Sequence, residues 1–130
     1  MSGKYPFSGV SEAVVPILRE GYPVDAIDHA IASGRISMAE LDRLVIPRKT
    51  LSHRRFLGSL TLEQSDRFSR VMRVILDAEE TFGDPAKARA WLRRPTALLD
   101  NESPLDRLDT DYGIRQVDEL MGRISHGLGV

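Results

Sequence analysis

The chain has 130 residues and a formal net charge of −1, from eighteen Lys+Arg against nineteen Asp+Glu. Hydrophobic residues at 42% and charged residues at 28% are the balance of an ordinary globular chain, not of a disordered one. No uncharged run exceeds seven residues, whereas a membrane-spanning helix needs about twenty apolar residues. The absence of cysteine removes disulfides, thiol nucleophiles and thiolate metal sites together. The first residues, Met1 to Pro6, lack the apolar stretch of a secretory signal, so the expected location is cytoplasmic.

Helical signals then follow one another along the chain. Ser11 is placed to cap a helix carrying Val14, Val15, Ile17 and Leu18 and ending at Gly21. Pro23 suits the first turn of a second, with Val24, Ile27, Ala30 and Ile31, stopped by Gly34. Ser37 and Glu40 form an S-x-x-E capping box, in which each side chain satisfies a free amide at the other's position. The helix they open carries Met38, Leu41, Leu44 and Val45. Ile46-Pro47 interrupts it, and Pro47 starts a fourth helix through Leu51 and Phe56 to Gly58.

Thr61 and Gln64 make a second box ahead of the longest periodic segment, where Leu62, Phe68, Val71, Met72, Ile75, Leu76 and Phe82 keep the 3.6-residue period. Asp84-Pro85 heads a shorter helix with Ala88, Trp91 and Leu92, and a lone Trp on a short helix is expected to anchor the core. Ser103-Pro104 predicts one to two turns with Leu105 and Leu108. Thr110 begins a final amphipathic helix, with Ile114, Val117, Leu120, Met121 and Ile124, closed by Gly127. No segment alternates long enough to form a sheet. The predicted class is all-α, with a composition change near residue 60 that divides the chain into 1–60 and 61–130.

Charge is unevenly placed. Residues 46–60 hold four cations and no acid, while residues 100–120 hold seven acids against Arg107 and Arg115, a local net of −5. The basic segment follows a capped helix and a short turn, the layout of a helix-turn-helix. On that reading Arg48, Lys49, Thr50, Ser52 and His53 offer groups for base edges, and Arg54 and Arg55 neutralise phosphates. A solvated basic face is the plainer alternative. The acidic segment reads either as a partner-facing surface or as first-turn acids complementing helix dipoles, and Asp109 and Asp111 favour the second.

No residue pattern supports catalysis. His29, His53 and His126 stand apart, without a metal-ligand spacing. Asp109-Thr-Asp111-Tyr-Gly113 lacks the third acid and the terminal glutamate of a calcium loop. The glycines make no phosphate loop, and no G-x-S-x-G is present. The sequence therefore predicts neither enzyme, metal nor cofactor.

Three segments in series carry a resemblance: Pro47-Arg-Lys-Thr-Leu-Ser-His-Arg-Arg55, Leu60-Thr-Leu-Glu-Gln-Ser-Asp-Arg67 and Phe82-Gly-Asp-Pro-Ala-Lys-Ala-Arg-Ala-Trp-Leu92. With Pro95, Ser103-Pro-Leu105, Leu108-Asp-Thr110, Gly113 and Ile124-Ser-His-Gly-Leu-Gly-Val130, the chain from about residue 36 onward resembles the Xre/MbcA/ParS antitoxins. The resemblance implies a type II antitoxin, with an Xre-like helix-turn-helix part followed by a small helical toxin-binding domain. It implies a RES-domain toxin that consumes NAD as partner, with promoter DNA as a second. Homodimers and toxin–antitoxin hetero-oligomers are implied as well. In such antitoxins the C-terminal region obstructs the toxin's active site, and Gly127, Leu128, Gly129 and Val130 match that tail. The tight Ile46-Pro47 connection departs from a regular helix-turn-helix, and related antitoxins use this region for dimerisation. The competing readings are a helix-turn-helix regulator without a toxin and a helical adaptor.

Overall fold

The computed structural model describes Phe7 and residues 14–127. Among these residues the chain forms seven α-helices and no strand: α1 (Val14–Glu20), α2 (Asp25–Ala32), α3 (Met38–Leu44), α4 (Arg48–Leu57), α5 (Leu62–Phe82), α6 (Pro85–Arg93) and α7 (Asp111–Ser125). Short 3-10 turns at Ala97–Leu99 and Leu105–Asp109 link α6 to α7. The all-α expectation holds. Two compact units divide between Arg73 and Val74, inside α5, whereas composition changes at the start of that helix.

Local chemistry accounts for the helix starts. Both predicted boxes form: Ser37 with Glu40 at 2.9 and 3.1 Å, and Thr61 with Gln64 at 2.9 and 3.1 Å. Asp84 accepts from the amide of Ala86 at 2.9 Å, and Thr110 from that of Gly113 at 3.0 Å. The cap expected at Ser11 lies outside the described residues. Pro23 is not in the first turn of α2; it precedes the N-cap Val24 and bridges instead to Ser59.

The N-terminal unit closes around aromatics. Phe7, Tyr22 and Phe68 pack mutually with ring centroids 5.3, 5.4 and 5.6 Å apart, in stacked and edge-on arrangements that ring quadrupoles favour. Burial pushes the Tyr22 phenol up to about 12, so it stays neutral. The α1–α2 and α4–α5 connections are stitched together by Leu60 N donating to Tyr22 O (2.8 Å) and Val24 N to Gly58 O (3.0 Å). Gly21 sits at φ +89°, and a Cβ there would strike the Leu60 carbonyl. Only glycine satisfies both constraints.

The C-terminal unit buries Ala78, Ala88, Leu92, Leu99, Leu105, Leu108 and Val117. Trp91 is half-buried and tilts against Phe82 at 5.4 Å, as the anchor of its short helix. The side chain of Arg107, 20% exposed, organises the link between the two 3-10 turns. It donates to Leu99 O (2.9 Å) and Asp100 Oδ2 (3.0 Å), and its Nε lies 2.9 Å from Glu102 Oε1. Between these partners Asp100 and Asn101 take left-handed φ of 55° and 66°, a conformation that costs free energy in a non-glycine residue unless its surroundings hold it.

Candidate functional site

In the N-terminal unit, α3 and α4 are joined by Val45, Ile46 and Pro47. Val45 and Ile46 are buried, which fixes the turn by packing, and both amides return to Leu41 O at 2.9 and 3.0 Å. Pro47 is the N-cap of α4 and brings no side-chain acceptor. Asp42 of α3 supplies one: its Oδ1 accepts the Arg48 amide at 2.7 Å. The turn is tight but its hydrogen bonding is well supplied. Leu51, 2% exposed, faces the core from α4.

The seven residues expected to meet DNA all lie on α4, but they do not share one fate. Arg48, Lys49, Ser52 and His53 are exposed, and Thr50 is half-buried. Ser52 Oγ donates back to Arg48 O at 3.2 Å. Arg54 Nε donates to Ser59 O at 2.7 Å, so this guanidinium serves the α4–α5 corner. Arg55 makes a two-pronged pair with Asp28 of α2, at 3.0 and 2.8 Å. That hydrogen bond, opposed by partial desolvation, holds the Asp28 carboxyl below its ordinary range. Sequence reading missed both contacts: Ser59 is reached only through the corner that ends α4, and nothing local marks Asp28, 27 residues from Arg55.

Phe56 departs from the apolar role its spacing suggests. It is 88% exposed, on the outward side of α4, and Leu62 at the start of α5 is also exposed.

In the C-terminal unit, an open groove of about 500 Å³ is lined by Asp77, Glu80 and Thr81 of α5 and Asp118, Met121, Gly122 and Ser125 of α7. Sequence reading singled out the acidic run that contains Asp118, but not the α5 carboxylates that join it. Asp118 is 38 residues or more from Asp77 and Glu80, and only their helical registers hint at the grouping. Gly127 ends α7 in the left-handed conformation, φ 71°, and donates to Ile124 O at 3.0 Å. Gly127 is thus a helix terminator first; Leu128, Gly129 and Val130 lie outside the described residues. Among the described residues no three His, Asp or Glu side chains are grouped to hold a metal, and no helix is long and apolar enough to cross a membrane.

Residues 13–73 match the family model of the antitoxin Xre-like helix-turn-helix domain, and residues 77–127 that of the antitoxin Xre/MbcA/ParS C-terminal toxin-binding domain. The antitoxin Xre of Yersinia enterocolitica is 36% identical over 118 residues, covering 88% of this chain and 80% of its own. This chain belongs to the Xre antitoxin family. The antitoxin Xre of Photorhabdus laumondii is 35% identical, covering 86% of this chain and 78% of its own. That of Pseudomonas putida is 30% identical, with coverage of 87% and 71%. The chain is therefore an antitoxin with a helix-turn-helix part and a toxin-binding domain, and the two matched segments abut the division inside α5.

Proposed function

We propose that this Xre antitoxin neutralises a RES-domain toxin that consumes NAD, by obstructing the toxin's active site with the region around and beyond Gly127. The observation carrying this reading is the end of α7. The toxin-binding match stops at Gly127, whose left-handed conformation ends the helix. The sequence beyond it, Leu128-Gly-Val130, has no long or charged side chain and includes a glycine, a composition suited to a narrow active site. The same protein represses its own promoter through α4, as a homodimer and in hetero-oligomers with the toxin. The support for this part is the cationic, acid-free segment 46–60 behind a helix-turn-helix turn.

The test separates the tail from the helix cap. Cells expressing the RES-domain toxin are protected by the full chain. Removing Leu128 to Val130 while keeping Gly127 preserves helicity and abolishes protection. Full protection by the truncated, folded chain would contradict the obstruction.

A further inference from the structure

We propose that Phe56 is a sequence-reading residue, contacting the 5-methyl group of thymine in the DNA major groove at the end of a base-facing stripe on α4. This rests on the DNA-binding reading of α4 given above and adds to it a specific discriminating contact.

The placement comes from helix geometry. Positions 49, 52, 53 and 56 stand at i, i+3, i+4 and i+7, and so share one face. That face is the solvent face: Lys49, Ser52, His53 and Phe56 are all exposed, while Leu51, 2% exposed, holds the opposite side in the core. The same spacing brings recognition-helix side chains into line with successive base edges. Arg54 and Arg55, bound to Ser59 and Asp28, flank the buried side and leave the stripe uncovered.

Exposure alone decides nothing, because isolated surface hydrophobics are ordinary. The surroundings of Phe56 are what select the partner. At 88% exposure it leaves nearly its whole ring outside the core. Its neighbours on the face are a cation and two hydrogen-bonding side chains, and no acid occurs from residue 46 to 60. Leu57, 53% exposed, lies about 100° further round the helix. The apolar part of this face is therefore one side chain wide, too narrow for a protein-protein core, while the exposed Arg48 and Lys49 at the start of α4 match a phosphate-lined groove. Within that groove a phenyl ring has no hydrogen bond to offer, and the apolar feature presented by the bases is the thymine methyl. Lys49 is suited to guanine acceptors, and Ser52 and His53 to either donor or acceptor edges.

The experiment selects duplexes from a random-sequence DNA pool, using the full chain and Phe56→Ala in parallel. The wild-type chain enriches a motif with a fixed thymine that becomes degenerate in the Phe56→Ala selection. Replacing that thymine by uracil keeps the hydrogen-bonding edge and removes the methyl. It weakens wild-type binding about fourfold, the weight of one buried methyl-sized group, and leaves Phe56→Ala unchanged. Equal wild-type affinity for the uracil duplex overturns the thymine contact while leaving DNA binding intact. Failure of the wild type to enrich any motif overturns the DNA reading with it. Loss of self-association by Phe56→Ala in light scattering, with the selected motif unchanged, shows that Phe56 packs against a second copy and overturns the proposal. The residue is so exposed that the variant folds, which circular dichroism checks.

Discussion

Asp42 caps the helix that follows its own. Its Oδ1 receives the Arg48 amide at 2.7 Å across the Val45-Ile46-Pro47 turn, so one carboxylate ties α3 to the start of α4. Pro47 occupies the N-cap position but has no side-chain oxygen to offer. Asp42 also puts a negative charge beside the positive end of the α4 dipole.

Replacing Asp42 with alanine leaves the Arg48 amide to water. The expected loss is about 1 kcal/mol, typical of a deleted N-cap, and Asp42→Asn recovers most of it. Urea unfolding of the three proteins measures this directly. A loss of DNA affinity in Asp42→Ala larger than in Asp42→Asn shows that the cap also sets the start of the recognition surface.

The Asp28–Arg55 pair gives a pH signature. Arg55 depresses the folded-state pKa of Asp28 below its unfolded value. Such a group adds stability that is present above the unfolded value of about 4 and is lost as pH falls through the folded one. Both side chains are 41–49% exposed, so the contribution is small, about 0–1 kcal/mol at neutral pH. Asp28→Asn flattens that part of the acid unfolding profile. If Arg55 meets phosphate in the complex, the same substitution releases it, raises DNA affinity and steepens the salt dependence by about one unit. Arg55→Ala in the Asp28→Asn background then cancels the gain.

Two glycines of α7 are predicted to respond in opposite directions. A Cβ at Gly113 would collide with the Arg107 carbonyl, a backbone atom that Arg107's own paired side chain helps to fix. Gly113→Ala therefore costs about 2–3 kcal/mol, as overpacking does. At Gly122 a Cβ meets open space beside the groove. Gly122→Ala adds up to about 1 kcal/mol of helix propensity. Thermal unfolding of the two variants checks the contrast, and reduced toxin binding by the more stable Gly122→Ala identifies the groove as part of the toxin interface.

The sequence made short-range features legible. Ser37 with Glu40, Thr61 with Gln64, Asp84 with Pro85 and Thr110 each act within three residues, and each starts a helix where its chemistry requires. The features that were hidden depend on distant partners. Thr96 caps the turn at Ala97–Leu99 locally, but the left-handed Asp100 and Asn101 lie beside the pairings of Arg107 with Leu99 O, Asp100 and Glu102, which nothing in residues 96–102 announces. The roles of Arg54 and Arg55 follow from where the chain brings Ser59 and Asp28. Phe56 has a core residue's chemistry at a solvent-facing position, and only the direction of Leu51 shows which way α4 turns. For the C-terminal unit the ordered motifs pointed to a toxin-binding domain, but the acidic groove needed α5 and α7 to be set side by side.

Active-site obstruction is tested most directly by NAD consumption by a purified RES-domain toxin that is mixed with this antitoxin. The full chain added at equal concentration is predicted to stop NAD loss, and the chain lacking Leu128 to Val130 to bind the toxin without stopping it. Undiminished NAD consumption in a complex with the full chain would contradict the account.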